Sequence, residues 1–244
     1  MTRPNLILWW IAYGVLRSLA ASCYRTRHLT PPLQLEGPVI WVSKHCYYWD
    51  IPMLGQITRR HAKRMVSFEM ASFHGYAWLG QVSWLLNNLG GFSVMRPKDL
   101  LRLRKTGSQT REQLREIMAK ANAKADARRA GILRANETYC FFPEGTRETE
   151  RLRNFKSTHE LTEARRLADE EGIDVTVVPV ALNYGKRSKR FIPWITRAPM
   201  TMEALEPISI KSMPPAELSA LVEARLREAW QTPEEVLRVG AQSH

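Results

Sequence analysis

The chain has 244 residues, of which 44% are hydrophobic, which suits one large domain or a domain with a small appendage. Its three scattered cysteines, Cys23, Cys46 and Cys140, exclude a disulfide framework and place the protein in a reducing compartment. Thirty-six Lys and Arg against 24 Asp and Glu give a formal charge of +12, which predicts an anionic partner: a phospholipid surface, nucleic acid, an acidic carrier protein or a phosphorylated small molecule.

Residues 5–16 are apolar on nearly every face, and Arg17 then interrupts them. The run is short and charged for a spanning helix, and the sequence leaves open whether it spans or lies on a membrane. Ala20-Ala21-Ser22-Cys23 faintly resembles a lipoprotein cleavage site, but Arg17 sits too close to the apolar stretch for a signal peptide. The pattern predicts an uncleaved helix lying in a membrane interface. Trp9, Trp10 and Tyr13 would sit at headgroup depth, with Arg3, Arg17, Arg25 and Arg27 toward lipid phosphates. The alternative is a helix packed against the rest of the protein. Thr30-Pro31-Pro32 reads as a linker, dividing the chain into a membrane-interface segment, 1–29, and an α/β domain, 30–244.

Pro38 to Val42 is an apolar, β-branched run and predicts a buried strand. Asp50-Ile51-Pro52 predicts a helix start, with Asp50 as N-cap. Arg59, Arg60, His61, Lys63 and Arg64 form a basic cluster. It suits either an anionic surface or a solvated helix end. A second strand is expected from Met65 to Phe68, and a wide-faced apolar helix from Phe73 to Leu89, containing Trp78 and Trp84. Gly90-Gly91 turns into a third strand that runs toward Arg96.

A long polar helix is predicted from Ser108 to Arg134, with Leu114, Ile117, Met118 and Ala121 on one face. Thr138 to Phe142 predicts a fourth strand, and a helix from Ser157 to Glu171 ends near Gly172. Asp174 to Leu182 predicts a buried strand in which Pro179 marks a bulge or an edge. Lys186, Arg187, Lys189 and Arg190, with Phe191 and Trp194, form a basic-aromatic segment suited to a membrane interface. Met202 to Ile210 offers a last strand or hairpin, and Pro215 to Trp230 an amphipathic helix. Strands alternating with helices predict a single α/β domain around a central, mostly parallel or mixed sheet, with the N-terminal membrane-associated helix appended.

Three polar groups fall at carboxyl ends of these strands, where α/β folds collect function. The first is His45, five residues before Asp50. A neutral imidazole accepts a proton near cellular pH, and a carboxylate on its far nitrogen fixes the tautomer and stabilises the imidazolium. Such a pair suits proton removal from a hydroxyl. The spacing alone is a weak signal, because histidine often ends strands and aspartate often caps helices. Cys46 beside His45 does not form a dyad with it, since neighbours in extended chain point apart. The second group is Arg96, a candidate phosphate ligand. The third is Pro143-Glu144-Gly145-Thr146-Arg147-Glu148, a broken strand exit whose amides and Arg147 suit an anion.

Taken in order, these blocks resemble the glycerophospholipid acyltransferases, typified by 1-acylglycerol-3-phosphate (lysophosphatidate) acyltransferase. His45 to Asp50 is similar to the family's H-x-x-x-x-D, and Gly91 to Arg96 to the block ending in a substrate-binding arginine. Phe142-Pro143-Glu144-Gly145-Thr146-Arg147 matches the F-P-E-G-T-R block at every position, and Val178-Pro179-Val180 resembles the last block. Phe155-Lys156 also fits, and the resemblance covers residues 38 to 185.

The resemblance implies that His45, oriented by Asp50, deprotonates a glycerol hydroxyl that attacks the thioester of acyl-CoA or acyl carrier protein. Arg96, Glu144, Gly145, Thr146, Arg147 and Lys156 would bind the acceptor, with no metal or other cofactor and no nucleic-acid partner. The enzyme would work on membrane lipids, at the cytoplasmic face. Lys44, Tyr47, Tyr48, Phe68, Glu148 and Ser157 depart from the family's common residues. Those departures bear on the acceptor and chain length rather than on the reaction. The sequence leaves the oligomeric state open.

Overall fold

A computed structural model of the chain describes residues 5–47, 50–62, 64–71, 86–106, 110–145, 148, 151–155, 158–185 and 197–241. Helix α1 spans Leu6–Cys23 and starts where the Asn5 side chain accepts the Leu8 amide at 3.1 Å. Strand β1, Tyr24–His28, follows without a break. Next come β2, Val39–Ser43, and α2, Asp50–Ala62. Strands β3, Val66–Ala71, and β4, Gly91–Val94, lead into α3, Pro97–Thr106. Helix α4, Arg111–Arg134, precedes β5, Thr138–Phe141, and α5, His159–Glu171. The chain ends in β6, Thr176–Tyr184, β7, Ala198–Ala204, and β8, Ile208–Ser209, then α6, Pro215–Ala229, and α7, Pro233–Ala241.

The strands form one mixed sheet in the order β1-β7-β6-β2-β5-β3-β4, with β8 also on β6. Strands β6, β2, β5, β3 and β4 run parallel, whereas β7 and β8 run antiparallel to β6. Every residue of β2 is buried, as expected for a strand covered on both faces. One face carries Trp41, Phe68, Val180 and Met202 against Met53, Leu54 and Ile57 of α2 and Ala20 of α1. The other carries Ile40, Tyr139, Phe141 and Val177 against α4, α5 and α6, through Leu133, Leu161 and Val222 among others. The α/β expectation is met.

Several local expectations change. Residues 24–28, placed with the N-terminal segment by their arginines, are instead an edge strand parallel to β7, with Tyr24 buried. Pro179 lies on a central strand, not at an edge. Its carbonyl accepts the Leu205 amide at 2.9 Å, so its missing N–H falls where β6 changes partner from β8 to β7. The long helix begins later than expected, at a capping box formed by Thr110 and Gln113, and a separate α3 opens at Pro97. Helix α7 was not anticipated. Of the aromatic stretch 73–89, residues 73–85 lie outside the described residues, as does the basic-aromatic segment 186–194.

Helix α1 is two-sided. Trp9 is buried and stacks on Tyr13, which packs against Gly55 of α2; these rings face inward, not toward headgroups. Trp10 lies under the Arg59 guanidinium, 3.9 Å away. Ile7, Ile11, Val15 and Leu19 form an exposed i, i+4 row, 48 to 71% accessible. Among the described residues no helix is long and apolar enough to cross a membrane.

A second cluster of charge lies between β3, α4 and α5. Arg129 donates to Glu69 at 2.8 and 3.1 Å and to Asp126 at 2.5 Å, with Glu160 at 3.7 Å. Burial pushes the Glu69 carboxyl up to about 7, Arg129 opposes that shift, and Glu160 and Asp126 add to it. One Glu160 oxygen and the Tyr139 hydroxyl are buried without a hydrogen-bond partner among the described residues. A cavity of about 210 Å³ beside them is lined by Asp126, Arg129, Tyr139 and Glu163.

Candidate active site

Strand β2 delivers Lys44 and His45 into the loop before α2. Asp50 is the first residue of that helix, but it does not cap it as expected. Its carboxylate turns back into the loop and is fully buried. Oδ2 accepts from His45 Nδ1 at 2.7 Å, from the Cys46 amide at 2.6 Å and from the Tyr47 amide at 2.9 Å. Oδ1 accepts from the Tyr184 hydroxyl at 2.7 Å. Backbone donors thus hold the carboxylate in the place where it receives Nδ1. Nδ1 is therefore the protonated nitrogen, and Nε2 remains as the acceptor. The imidazole stacks on Phe142, 4.3 Å between centroids, and is 21% exposed, whereas Asp50 is sealed.

The Cys46 thiol is buried, and burial together with Asp50 pushes its pKa up, so it is no nucleophile. Tyr184 is likewise pushed up by burial and by Asp50, which keeps its hydroxyl a donor.

The turn after β5 clamps the histidine from below. Glu144 is fully buried, accepting the His45 amide at 3.3 Å and the Arg153 amide at 2.6 Å. The Lys44 ammonium, 1% exposed, lies 3.6 Å from Glu144 Oε1 and donates to the Arg151 carbonyl at 2.5 Å. The Glu148 amide donates to the His45 carbonyl at 2.9 Å. Glu144, expected among the acceptor ligands, is buried and spends its contacts on the loop that carries His45. Lys44, which looked like an unexplained departure, is the counter-charge that lets Glu144 be buried.

Gly145 takes φ +64°, a left-handed turn that glycine adopts without strain. Its carbonyl accepts Arg96 Nη1 at 3.1 Å, which ties the third block to the first. Arg96 also donates its amide and Nε to Asp99 at 3.0 and 3.2 Å, and its side chain is 28% exposed. His45, Asp50, Arg96, Glu144 and Gly145 are therefore linked through one turn. Thr146, Arg147 and Lys156 lie outside the described residues. Among the described residues no three His, Cys, Asp or Glu side chains group as a metal site would require.

Sequence reasoning missed Tyr184 and the role of Lys44. The only local signal was Lys44 itself, a lysine inside an apolar strand exit. Tyr184 lies 134 residues from Asp50, and no spacing rule joins them.

A family model described as Acyltransferase matches residues 23–183, from the end of α1 through β6. The crystal structure of the 1-acyl-sn-glycerophosphate (LPA) acyltransferase PlsC from Thermotoga maritima is similar, with a TM-score of 0.55 and 18% sequence identity. That alignment covers 99% of this chain and 85% of the other. No curated protein matches the sequence. The family match spans the whole His45–Asp50 loop, Arg96 and the Glu144 turn, and two thirds of the chain: this protein is an enzyme of the acyltransferase family.

Proposed function

We propose that the protein transfers a fatty acyl group from acyl-CoA or acyl carrier protein to the free hydroxyl of lysophosphatidic acid, forming phosphatidic acid. His45 Nε2 takes the hydroxyl proton as the oxygen attacks the thioester carbonyl. The C–S bond breaks, and the proton passes to the departing thiolate, leaving a new ester and a free thiol. Arg96, Gly145, Thr146, Arg147 and Lys156 would meet the acceptor, the cations by charge to its phosphate. Glu144 acts through the loop. The observation that carries this reading is the 2.7 Å His45–Asp50 bond, which sets the tautomer in a ring that is still partly open.

The same reading places the enzyme on the cytoplasmic face of a membrane. The exposed row Ile7, Ile11, Val15 and Leu19 supports it, with Arg17 exposed on the same helix. The PlsC named above is a 1-acyl-sn-glycerophosphate (LPA) acyltransferase. The test is one assay with purified protein, mixed acyl thioesters and a panel of phosphorylated and non-phosphorylated acceptors, read by mass spectrometry. Phosphatidic acid is the expected product, and His45→Ala should lower turnover about 10²–10⁴-fold with the fold intact. Free fatty acid as the sole product, or an active His45→Ala, would reject the mechanism. Reaction with non-phosphorylated acceptors alone would reject the role given to the arginines.

A further inference from the structure

Asp50 has two oxygens with unequal company. Oδ2 takes three donors, all from its own loop. Oδ1 takes one among the described residues, Tyr184, from the far end of β6. The Tyr184 ring is 3% exposed and wedged edge-on between Tyr24 and Tyr47, with centroids 5.3 and 4.9 Å away. Both neighbours fix the direction of the phenol, whose hydroxyl points at Asp50 Oδ1. Rotation about Cβ–Cγ moves both oxygens, so the Tyr184 donor on Oδ1 adds a second, independent restraint on that angle to the three donors on Oδ2. Because Oδ1 is buried, losing that donor also strands an acceptor away from water.

We propose that Tyr184 is a positioning residue for acyl transfer: its hydroxyl locks the Asp50 carboxylate in the rotation that aims the His45 imidazole. This rests on His45 being the base. Tyr184 touches neither substrate nor imidazole and acts only through Asp50. It also draws charge toward Oδ1, which moderates the carboxylate's hold on the imidazolium formed during turnover. Removing the hydroxyl therefore loosens the geometry and strengthens that hold.

Tyr184→Phe keeps the ring contacts and removes the donor. With the acyltransferase assay run from acid to neutral pH, kcat should fall roughly 10-fold, the size of a lost hydrogen bond to a charged group. The acceptor KM should stay within about twofold, since uniform binding is untouched. The acid limb of the kcat/KM profile should move to higher pH. Nitrogen-15 NMR of labelled histidine, with the His45 signals identified by their loss in His45→Ala, should show one Nδ1–H tautomer in the wild type and a mixture in the variant. This spectroscopic arm reads the lock even where turnover is too slow to measure. Unchanged kcat, pH limb and tautomer in Tyr184→Phe, with His45→Ala inactive, would overturn the role of Tyr184 and leave the base standing. Full activity in His45→Ala would remove both.

Discussion

Two sets of buried charge share this molecule, and they are satisfied by different means. Around His45, the carboxylates of Asp50 and Glu144 are held mainly by backbone amides of the loops they organise. Around Arg129, the carboxylates of Glu69, Asp126 and Glu160 share one guanidinium, Asp126 also meets His159 Nε2 at 3.0 Å, and one Glu160 oxygen has no partner among the described residues. Amide donors do not titrate, so these contacts to Asp50 and Glu144 keep their donors at any pH. The second balances three acids against Arg129 and His159, and its balance depends on protonation. Amide-held charge is found around His45, and shared side-chain charge where helices meet the sheet.

The contrast is broken most severely at Glu144. Glu144→Gln leaves the Lys44 ammonium buried without its counter-charge and should cost about 3–5 kcal/mol by chemical denaturation, with activity lost as the His45 loop shifts. Adding Lys44→Met should restore much of the stability, because a neutral pair carries no uncompensated charge. No recovery in the double variant would mean that the amide bonds, not the ion pair, hold the turn.

The second cluster is tested through pH. The folded Glu69 carboxyl is raised from 4.5 to about 7. The folded state therefore binds this proton more tightly than the unfolded chain, and the stability that comes from it is full below about pH 4.5. It is lost as pH rises to about 7. Melting temperatures should fall across that window in the wild type relative to Glu69→Gln, whose amide does not titrate. Parallel curves would show that Glu69 is ionised throughout. The smallest effect compares two glycines. Gly145 and Gly172 have φ +64° and +70°, and a Cβ at either would meet nothing within 4 Å among the described residues. Alanine at each should cost about 1–2 kcal/mol for the left-handed backbone alone. Only Gly145→Ala should also reduce activity, because its carbonyl anchors Arg96.

What could be read in advance was local. The β2 run, the start of α2 and the turn after β5 are each written in fewer than ten consecutive residues, so periodicity and turn chemistry revealed them. What escaped depends on partners far along the chain. Strand β1 has the alternation Tyr24-Arg25-Thr26-Arg27-His28, which looks polar until β7 is beside it. Pro179 looked like an edge marker because the change of partner from β8 to β7 is a property of the sheet, not of the strand. The His45–Asp50 pair was legible as a spacing, but the Tyr184 donor behind it was not. Glu144 was legible as part of a turn, but its direction was not: a carboxylate in a polar motif looks exposed until Lys44 is found beneath it.

The pairing of β1 with β7 also sets an order of events on the ribosome. The Thr30 hydroxyl, just past β1, bonds the Ala204 carbonyl 174 residues later. At roughly 5–20 residues per second, about 10 to 35 s pass between synthesis of the first edge strand and arrival of the strand that holds it. Through that interval α1 has emerged with its aliphatic row, while the sheet edge that will anchor its carboxyl end does not yet exist. A nascent chain thus carries an uncovered aliphatic row before the rest of the enzyme closes behind it.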